Sequence, residues 1–311
     1  MNDFGGGRPT RTATTEHRYR ETFEYLRHTA EREARAGGHI FDIVDWFCSK
    51  HGCWSSSTIR QYRASLNHAI TTTAGLHPDH LAHLMMRLKR GPDVRQKGPR
   101  RTAARKRKSL PHAQWELLVQ AVRHSRSPDD RLILCFLIFG PALFLRPTEY
   151  LAARVDGDLL FTKNAKATNG RANGEERSRN LEMPGWTIDQ LIIFLNSLAK
   201  EVEAAGSPEK LFGRLSARLA RICKACGVRR VSLYTLRHVG IATAKSWMTP
   251  TEVAAAAGHA STRTASSHYS KRRHGWHGVR LGGLPTAASM AAVREVDRPS
   301  FDSPRIRKAQ M

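Results

Sequence analysis

The sequence predicts a mainly α-helical protein with one small β-hairpin, an α+β class, arranged as two folded units. Three observations predict it. Apolar residues recur at i, i+3 and i+4 over most of the chain, and the stripes stop at glycines. Between Gly157 and Gly185 that period gives way to two short extended runs around a loop rich in Gly, Asn, Arg and Lys. A Pro/Gly segment dense in Arg and Lys, residues 91–108, carries no apolar period and divides the two parts.

Residues 1–14, rich in Gly, Thr and Arg, read as a disordered tail. Next, "HRYRETFEYLRHTAEREARAGG" places Tyr19, Phe23 and Leu26 on one stripe and ends at Gly37 and Gly38. "HIFDIVDWFCSKHG" repeats the pattern. "SSSTIRQYRASLNHAITTTAG" opens on serines suited to cap a helix, carries Ile59, Tyr62, Leu66 and Ile70 at helical spacing, and closes on glycine. "HPDHLAHLMMRLKRG" gives a fourth helix. Residues 15–90 therefore form a helical unit, decorated by Arg60, Arg63, Arg87, Lys89 and Arg90. A charge-decorated helix is most often a solvated face, so these helices alone say little about a partner.

The dividing segment ends in Arg105, Lys106, Arg107 and Lys108. It reads as an inter-domain linker, either an inert tether or a strap along phosphates. A strap would add affinity without sequence preference.

The second unit, residues 109–278, opens at Ser109 and Pro111, which suit a helix start. "LILCFLIFGPALFL" is too short to cross a bilayer and is broken by Gly140 and Pro141, so it reads as a buried core helix. "FLRPTEYLAARV" follows. The runs Leu159–Thr162 and Arg179–Met183 then pair as a hairpin with a long basic tip, and the rest is helical to about Gly278. Cys223 and Cys226 form a lone CxxC on a helix striped by Leu211, Leu215, Leu219 and Ile222, which favours packing over zinc. The tail, residues 279–311, holds one short helix candidate, "TAASMAAVREV".

Charge narrows the partner. Lys and Arg number 51 against 27 Asp and Glu, a formal charge of +24, which favours a polyanion and most simply double-stranded DNA. No apolar run approaches a membrane span, and the first residues lack the apolar core of a signal peptide. Five cysteines suggest no disulfide framework, so a reducing cytoplasm is expected. No cofactor is expected. No carboxylate cluster suits a metal pair, which disfavours a metal-dependent nuclease.

Four features of the second unit carry chemistry. Arg146 precedes a proline and stands three residues before Glu149. Lys163 and Lys166 lie in or beside the hairpin. Arg237 sits among apolar neighbours in "YTLRHVGIATA". His259 and Tyr269 belong to "AGHASTRTASSHYSKRR", a polar stretch with no apolar period to bury a tyrosine. Each has a plain alternative: a structural ion pair, a solvated turn lysine, a helix cap.

Taken in order, these features resemble the tyrosine recombinase, or phage integrase, family. The resemblance spans residues 15–275. It implies an N-terminal core-binding domain and a C-terminal catalytic domain that clamp duplex DNA. Arg146 and Arg237 would be the phosphate-binding arginines, His259 the late histidine and Tyr269 the nucleophile. "NAKATNGR" makes Lys166, rather than Lys163, the catalytic lysine. The function implied is site-specific DNA recombination through a covalent 3′-phosphotyrosine, serving integration or excision of a mobile element. It also implies four protomers on two synapsed sites, with the C-terminal tail packed on a neighbour, and admits accessory or sibling recombinase proteins.

The chemistry of the residues agrees. Two guanidiniums can hold the non-bridging oxygens of a phosphodiester with charged, paired hydrogen bonds. Such charge stabilisation is usually the largest catalytic contribution. A phenol with an ordinary pKa near 10 needs surrounding positive charge or a base to attack at neutral pH. A lysine can protonate the leaving 5′-oxygen. Three departures stand out. Tyr234 replaces the histidine that often precedes the second arginine by three; it can still donate to a phosphate oxygen but is a poor acid or base at neutral pH, which shifts weight to His259. The hairpin is long. The interval from His259 to Tyr269 is one residue wide, leaving His268 beside the tyrosine. Two other activities therefore stay open: a DNA-binding regulator of the same fold with little or no catalysis, and a relaxing topoisomerase. Glu149 is expected either to orient Arg146 or merely to pair with it.

Overall fold

The computed structural model describes residues 13–34, 37–94, 107–165, 167, 172–264 and 269–296. The chain divides into two compact units, residues 1–101 and 102–311. It is mainly helical, with one small antiparallel sheet.

The first unit holds α1 (Ala13–Ala34), α2 (Ile40–Ser49), α3 (Ser56–Thr72) and α4 (Pro78–Arg90). Helix α1 begins inside the stretch read as a tail. Ser55 caps α3 by accepting from the Thr58 amide at 3.2 Å, and Pro78 opens α4, where its missing N–H costs nothing. The four apolar stripes meet in a core of Leu26, Ile43, Phe47, Leu66, Ile70 and Leu84. Arg60 points to solvent and Arg63 is half-buried.

The second unit holds α5 (His112–Arg123), α6 (Pro128–Leu143), a 3₁₀ turn (Pro147–Ala152), β1 (Ala153–Asp156), β2 (Leu159–Lys163) and β3 (Glu176–Asn180). Then come α7 (Gly185–Ala205), α8 (Pro208–Ala225), α9 (Leu233–Ala244), α10 (Pro250–Ala256), a short 3₁₀ turn (Arg272–His274) and α11 (Ala287–Ala291). The sheet order is β1-β2-β3, with Leu160 opposite both Val155 and Arg179. This corrects the hairpin expected from sequence. A strand precedes it at Ala153–Asp156, and its second arm is Glu176–Asn180 rather than Arg179–Met183. The inward residues of β3 are Arg177 and Arg179, so the strand shows no apolar alternation to read.

Helix α9 is buried almost all round and crosses α6 closely. At the crossing a side chain on Gly240 would strike the Pro141 carbonyl, and one on Gly140 would come within 2.8 Å of Leu236. Pro141 lies inside α6 and has no N–H for the Leu137 carbonyl. The indole of Trp115 donates to that carbonyl instead, at 2.7 Å. Helix α6 ends at Phe144, a non-glycine residue in the left-handed region with φ 39°. Trp276 is packed, its ring 5.0 Å from His112 and 5.1 Å from Trp115. Cys223 is buried on α8, and both thiols of the CxxC are free. Among the described residues no group could hold a metal ion, and no helix is long and apolar enough to cross a membrane.

Candidate active site

The floor of the site is Glu149, 1% exposed. Arg146 stands at the N-cap of the 3₁₀ turn, and Glu149 three residues later reaches back to accept from the Arg146 amide at 2.8 Å. The same carboxylate accepts from Arg146 Nη1, from Arg177 Nη2 at 2.9 Å, from Arg237 Nη1 at 3.5 Å and from the Ala165 amide at 3.3 Å. Burial alone would raise its pKa. The guanidiniums of Arg177, Arg237 and Arg146 outweigh burial and hold the carboxyl well below the ordinary carboxylate range. Glu149 is thus an anion shared by three arginines rather than half of a simple i, i+3 pair.

Arg177 joins the site without any expectation from sequence. It comes from β3, is 5% exposed, and directs its remaining donors to the Ala256 carbonyl at 3.1 Å and to Asn164 Oδ1. Asn164 in turn donates to Asn173 at 3.1 Å, and Asn173 donates to the carbonyls of Ala255 and Ser289. This network fixes the turn after α10. There Gly258 has φ +68°, and a Cβ would collide with Asn164 and Arg177. The glycine in "GH" is therefore required on two grounds, conformation and space.

Arg237 lies at the centre, on the second turn of α9. Ser232 and Thr235 form a capping box that starts the helix, and its apolar surroundings leave the guanidinium fully buried. All five of its N–H groups have acceptors. Nε donates to Tyr269 Oη at 2.9 Å, and Nη1 to the Phe144 carbonyl at 2.6 Å and to Glu149. Nη2 donates to the Ala257 carbonyl at 2.7 Å and meets His259 Nε2 at 3.2 Å. The left-handed turn at Phe144 is what aims that carbonyl at the guanidinium.

A guanidinium can only donate, so His259 Nε2 accepts and the ring proton sits on Nδ1. Burial, then the charges of Arg237, Arg146 and Arg177, hold this imidazole neutral, well below its ordinary pKa. His259 Nδ1 is buried with no acceptor. So is Arg146 Nε. Two buried donors without partners beside a shared guanidinium floor suit an anion.

The Tyr269 hydroxyl joins this cluster. Besides Arg237 it contacts the Tyr234 hydroxyl at 3.0 Å, and its ring lies 5.0 Å from those of His238 and His259. Burial works against a phenolate, but Arg237, and hydrogen bonds with Tyr234 and Arg237, bring Tyr269 below the ordinary phenol value. Tyr234, 38% exposed, moves the other way, raised by burial and by Tyr269. His238 is held near 4 by burial and by Lys108, Arg237 and Lys245. Lys245, brought down to about 8 by burial, donates to the Ser270 carbonyl at 2.8 Å and so anchors the chain just after Tyr269.

The structure thus gathers Arg146, Glu149, Tyr234, Arg237, His259 and Tyr269 in one cluster. Lys163 is exposed at the end of β2, while Lys166, Arg105, Lys106 and His268 lie outside the described residues. Arg107 is committed to the fold: it donates to the Arg229 carbonyl at 2.7 Å and to Gln114. The Lys108 side chain is exposed, and its carbonyl accepts from Ser270. Sequence reasoning missed Arg177, Asn164 and Lys245. The one available signal was the pair of arginines spaced by two in "ERSRN".

No family model and no curated protein matches the chain. Among solved structures it is similar to that of XerA recombinase, with 16% identity over 81% of this chain and 92% of that one and a TM-score of 0.35. It is also similar to XerH site-specific recombinase bound to difH substrate in a pre-cleavage complex, with 12% identity, 81% and 75% coverage and a TM-score of 0.48. The XerH post-cleavage complex on palindromic difH gives 14%, 81% and 74%, and 0.45.

Proposed function

We propose that the protein is a DNA strand transferase, a site-specific recombinase that cuts and rejoins DNA through Tyr269. One observation carries this reading: a phenol oxygen, polarised by a buried guanidinium at 2.9 Å, shares a cluster with two buried donors that lack acceptors. A phosphodiester supplies the acceptors. Its non-bridging oxygens would take Arg146 Nε and His259 Nδ1, and the charge that builds on them in the transition state strengthens those bonds.

Tyr269 Oη attacks phosphorus. The Oη–P bond forms as the P–O5′ bond breaks, leaving a 3′-phosphotyrosine and a 5′-hydroxyl. Lys166 protonates the leaving oxygen, and Tyr234 joins Arg146, Arg237 and His259 around the phosphate. The ester keeps the energy of the original linkage, so a 5′-hydroxyl reverses the step without a cofactor. Residues 15–90 serve as the core-binding domain and 109–278 as the catalytic domain, with Arg60, Arg63, Arg105, Lys106 and Lys108 on phosphates, while Arg107 is held by Arg229 and Gln114. Integration or excision of a mobile element by four protomers on two DNA sites, in the cytoplasm, is the biological role that fits.

Duplexes of random sequence carrying a nick test this. A nick lets the short 5′-hydroxyl product escape, so the intermediate is trapped and its DNA can be sequenced. The wild type should form an adduct on a defined sequence, and Tyr269→Phe none. Absence of an adduct, or one unchanged by Tyr269→Phe, refutes the proposal and leaves a DNA-binding regulator. Relaxation of supercoiled DNA without any preferred sequence would indicate a topoisomerase.

A further inference from the structure

We propose that Lys245 is a positioning residue for the nucleophile: its ammonium, bound to the Ser270 carbonyl, fastens the chain that follows Tyr269 to the helix that carries Arg237, and so keeps the phenol in register with the guanidinium. This rests on the reading of Tyr269 as the attacking group, and gives a task to a buried cation that takes no part in holding the phosphate.

Lys245 closes α9 at its C-cap, just over two turns beyond Arg237. Its side chain is buried, and Nζ donates to the Ser270 carbonyl at 2.8 Å. Ser270 directly follows Tyr269 and is itself buried. Farther on, the chain lies flat against α9. A Cβ at Gly275 would meet the backbone of Ala242 and Thr243 at 2.5 Å, and the Trp276 amide donates to Thr243 Oγ1 at 2.9 Å. The Trp276 indole donates to the Leu110 carbonyl at 2.9 Å. One helix therefore carries Arg237 and also supports the segment that leads away from Tyr269.

The residue type points to a task beyond packing. Val239, Gly240, Ile241, Ala242 and Ala244, the neighbours of Lys245 on α9, are small or apolar and all buried. A methionine would continue that surface without placing a charge in it. Burial opposes the ammonium and brings its pKa down to about 8, so near neutrality the group is still mostly charged. A charged donor bonds a carbonyl more strongly than a neutral one, and the C-terminal end of a helix favours a cation. Against burial, the Tyr269 phenol is brought down by Arg237, by its hydrogen bonds with Tyr234 and Arg237, and by Arg146. Lys245 acts on that phenol through the chain, by place rather than by field.

Two tethers meet on one residue. Ser270 accepts from Lys245 through its carbonyl and donates to the Lys108 carbonyl through its hydroxyl, so its peptide and its side chain are fixed together. Loss of the Lys245 tether frees the peptide beside Tyr269. The 2.9 Å contact between Arg237 Nε and Tyr269 Oη is lost on a shift of about 1 Å, and a misplacement of that size in a reacting group can slow chemistry about 10²-fold. The other contacts of Arg237, with Phe144, Glu149, Ala257 and His259, do not run through Lys245. The groups that meet the phosphate therefore stay in place when the phenol drifts.

Two sets of measurements on the full-length chain test this. The first needs no DNA. In hydrogen–deuterium exchange, Lys245→Met should raise exchange about tenfold or more in peptides covering Tyr269–Trp276 and leave those of α5 to α8 as they were. In protein carrying ¹³Cζ-labelled tyrosine, with Tyr269 assigned by Tyr269→Phe, the same substitution should move the Tyr269 titration up toward the ordinary phenol value of about 10. The second uses the duplex captured by the wild type. Lys245→Met should form the adduct about tenfold or more slowly and bind that duplex as before. Ser270→Ala removes the other tether without disturbing a buried charge, and should change exchange, titration and rate in the same directions. It keeps the test in place should Lys245→Met fail to fold. Exchange raised evenly across the second unit, a rate left unchanged, or a rate lost with the Tyr269 titration unmoved overturns the clamp alone. A wild type that forms no adduct overturns the proposed function, and exchange and titration then decide the clamp by themselves.

Discussion

Glu149 Oε2 and Arg177 Nη2 lie 2.9 Å apart beneath the site, and neither side chain reaches solvent. Arg146 and Arg237 share the same carboxylate. Replacing it with a neutral amide leaves three cations packed together without their anion. Glu149→Gln should therefore lower stability by about 3–5 kcal/mol, measured by urea unfolding. The effect should depend on pH. The folded carboxyl titrates below its ordinary value, so its contribution is complete above the unfolded value of about 4.3 and fades as pH falls toward the folded one. The gap between wild type and Glu149→Gln should be widest near neutrality and should narrow in acid.

Arg146→Ala removes the guanidinium that holds a buried N–H without an acceptor. Arg237→Lys keeps a charge on α9 but loses the fork that reaches Tyr269, Phe144, Glu149, Ala257 and His259. Each should slow adduct formation by about 10²–10³-fold while changing duplex affinity far less. Single-turnover rates and filter binding on the captured duplex check this. Equal losses in both would make these arginines anchors.

Trp115 and Pro141 form a compensating pair. The indole satisfies the carbonyl that the proline leaves open in α6. Trp115→Phe should cost about 1–3 kcal/mol in thermal or urea unfolding, much of it from the orphaned Leu137 carbonyl. With Pro141→Ala in place the backbone supplies an amide, so the same substitution should cost less. A double-mutant cycle measures the difference.

Arg105 and Lys106 should act on all DNA alike. Replacing both with glutamine should weaken binding to captured and unrelated duplexes by the same factor. It should also flatten the salt dependence by about 0.9 for each phosphate no longer neutralised. Arg107→Gln should differ, because its guanidinium ties Arg229 and Gln114, and should register as lost stability as well. A change in site preference on neutralising Arg105 and Lys106 would contradict a strap on phosphates.

The helices were legible because their burial follows a period that apolar residues display. Phe23, Leu26 and Ile59, Leu66, Ile70 mark the faces that pack, and Tyr19 lies against the His68 ring. The sheet was legible only in part. Its third strand turns Arg177 and Arg179 inward, against the expectation that buried faces are apolar. The same inversion hid Arg177 from the candidate site. Arg146, Arg237, His259 and Tyr269 were found by order along the chain, since nothing in their local periods says that they meet. Their setting was not readable: the left-handed turn at Phe144 and the Asn164–Asn173 network are fixed by tertiary contacts. Local sequence carries no trace of such contacts.

A guanidinium with no idle hydrogen makes a poor trap. Every N–H of Arg237 already rests on an oxygen or nitrogen of its own chain. A stray inorganic anion gains nothing there without first evicting one of them. A duplex grips elsewhere and can fund that exchange, so Arg237 itself, unlike Arg146 Nε and His259 Nδ1, offers a small competitor no vacant donor.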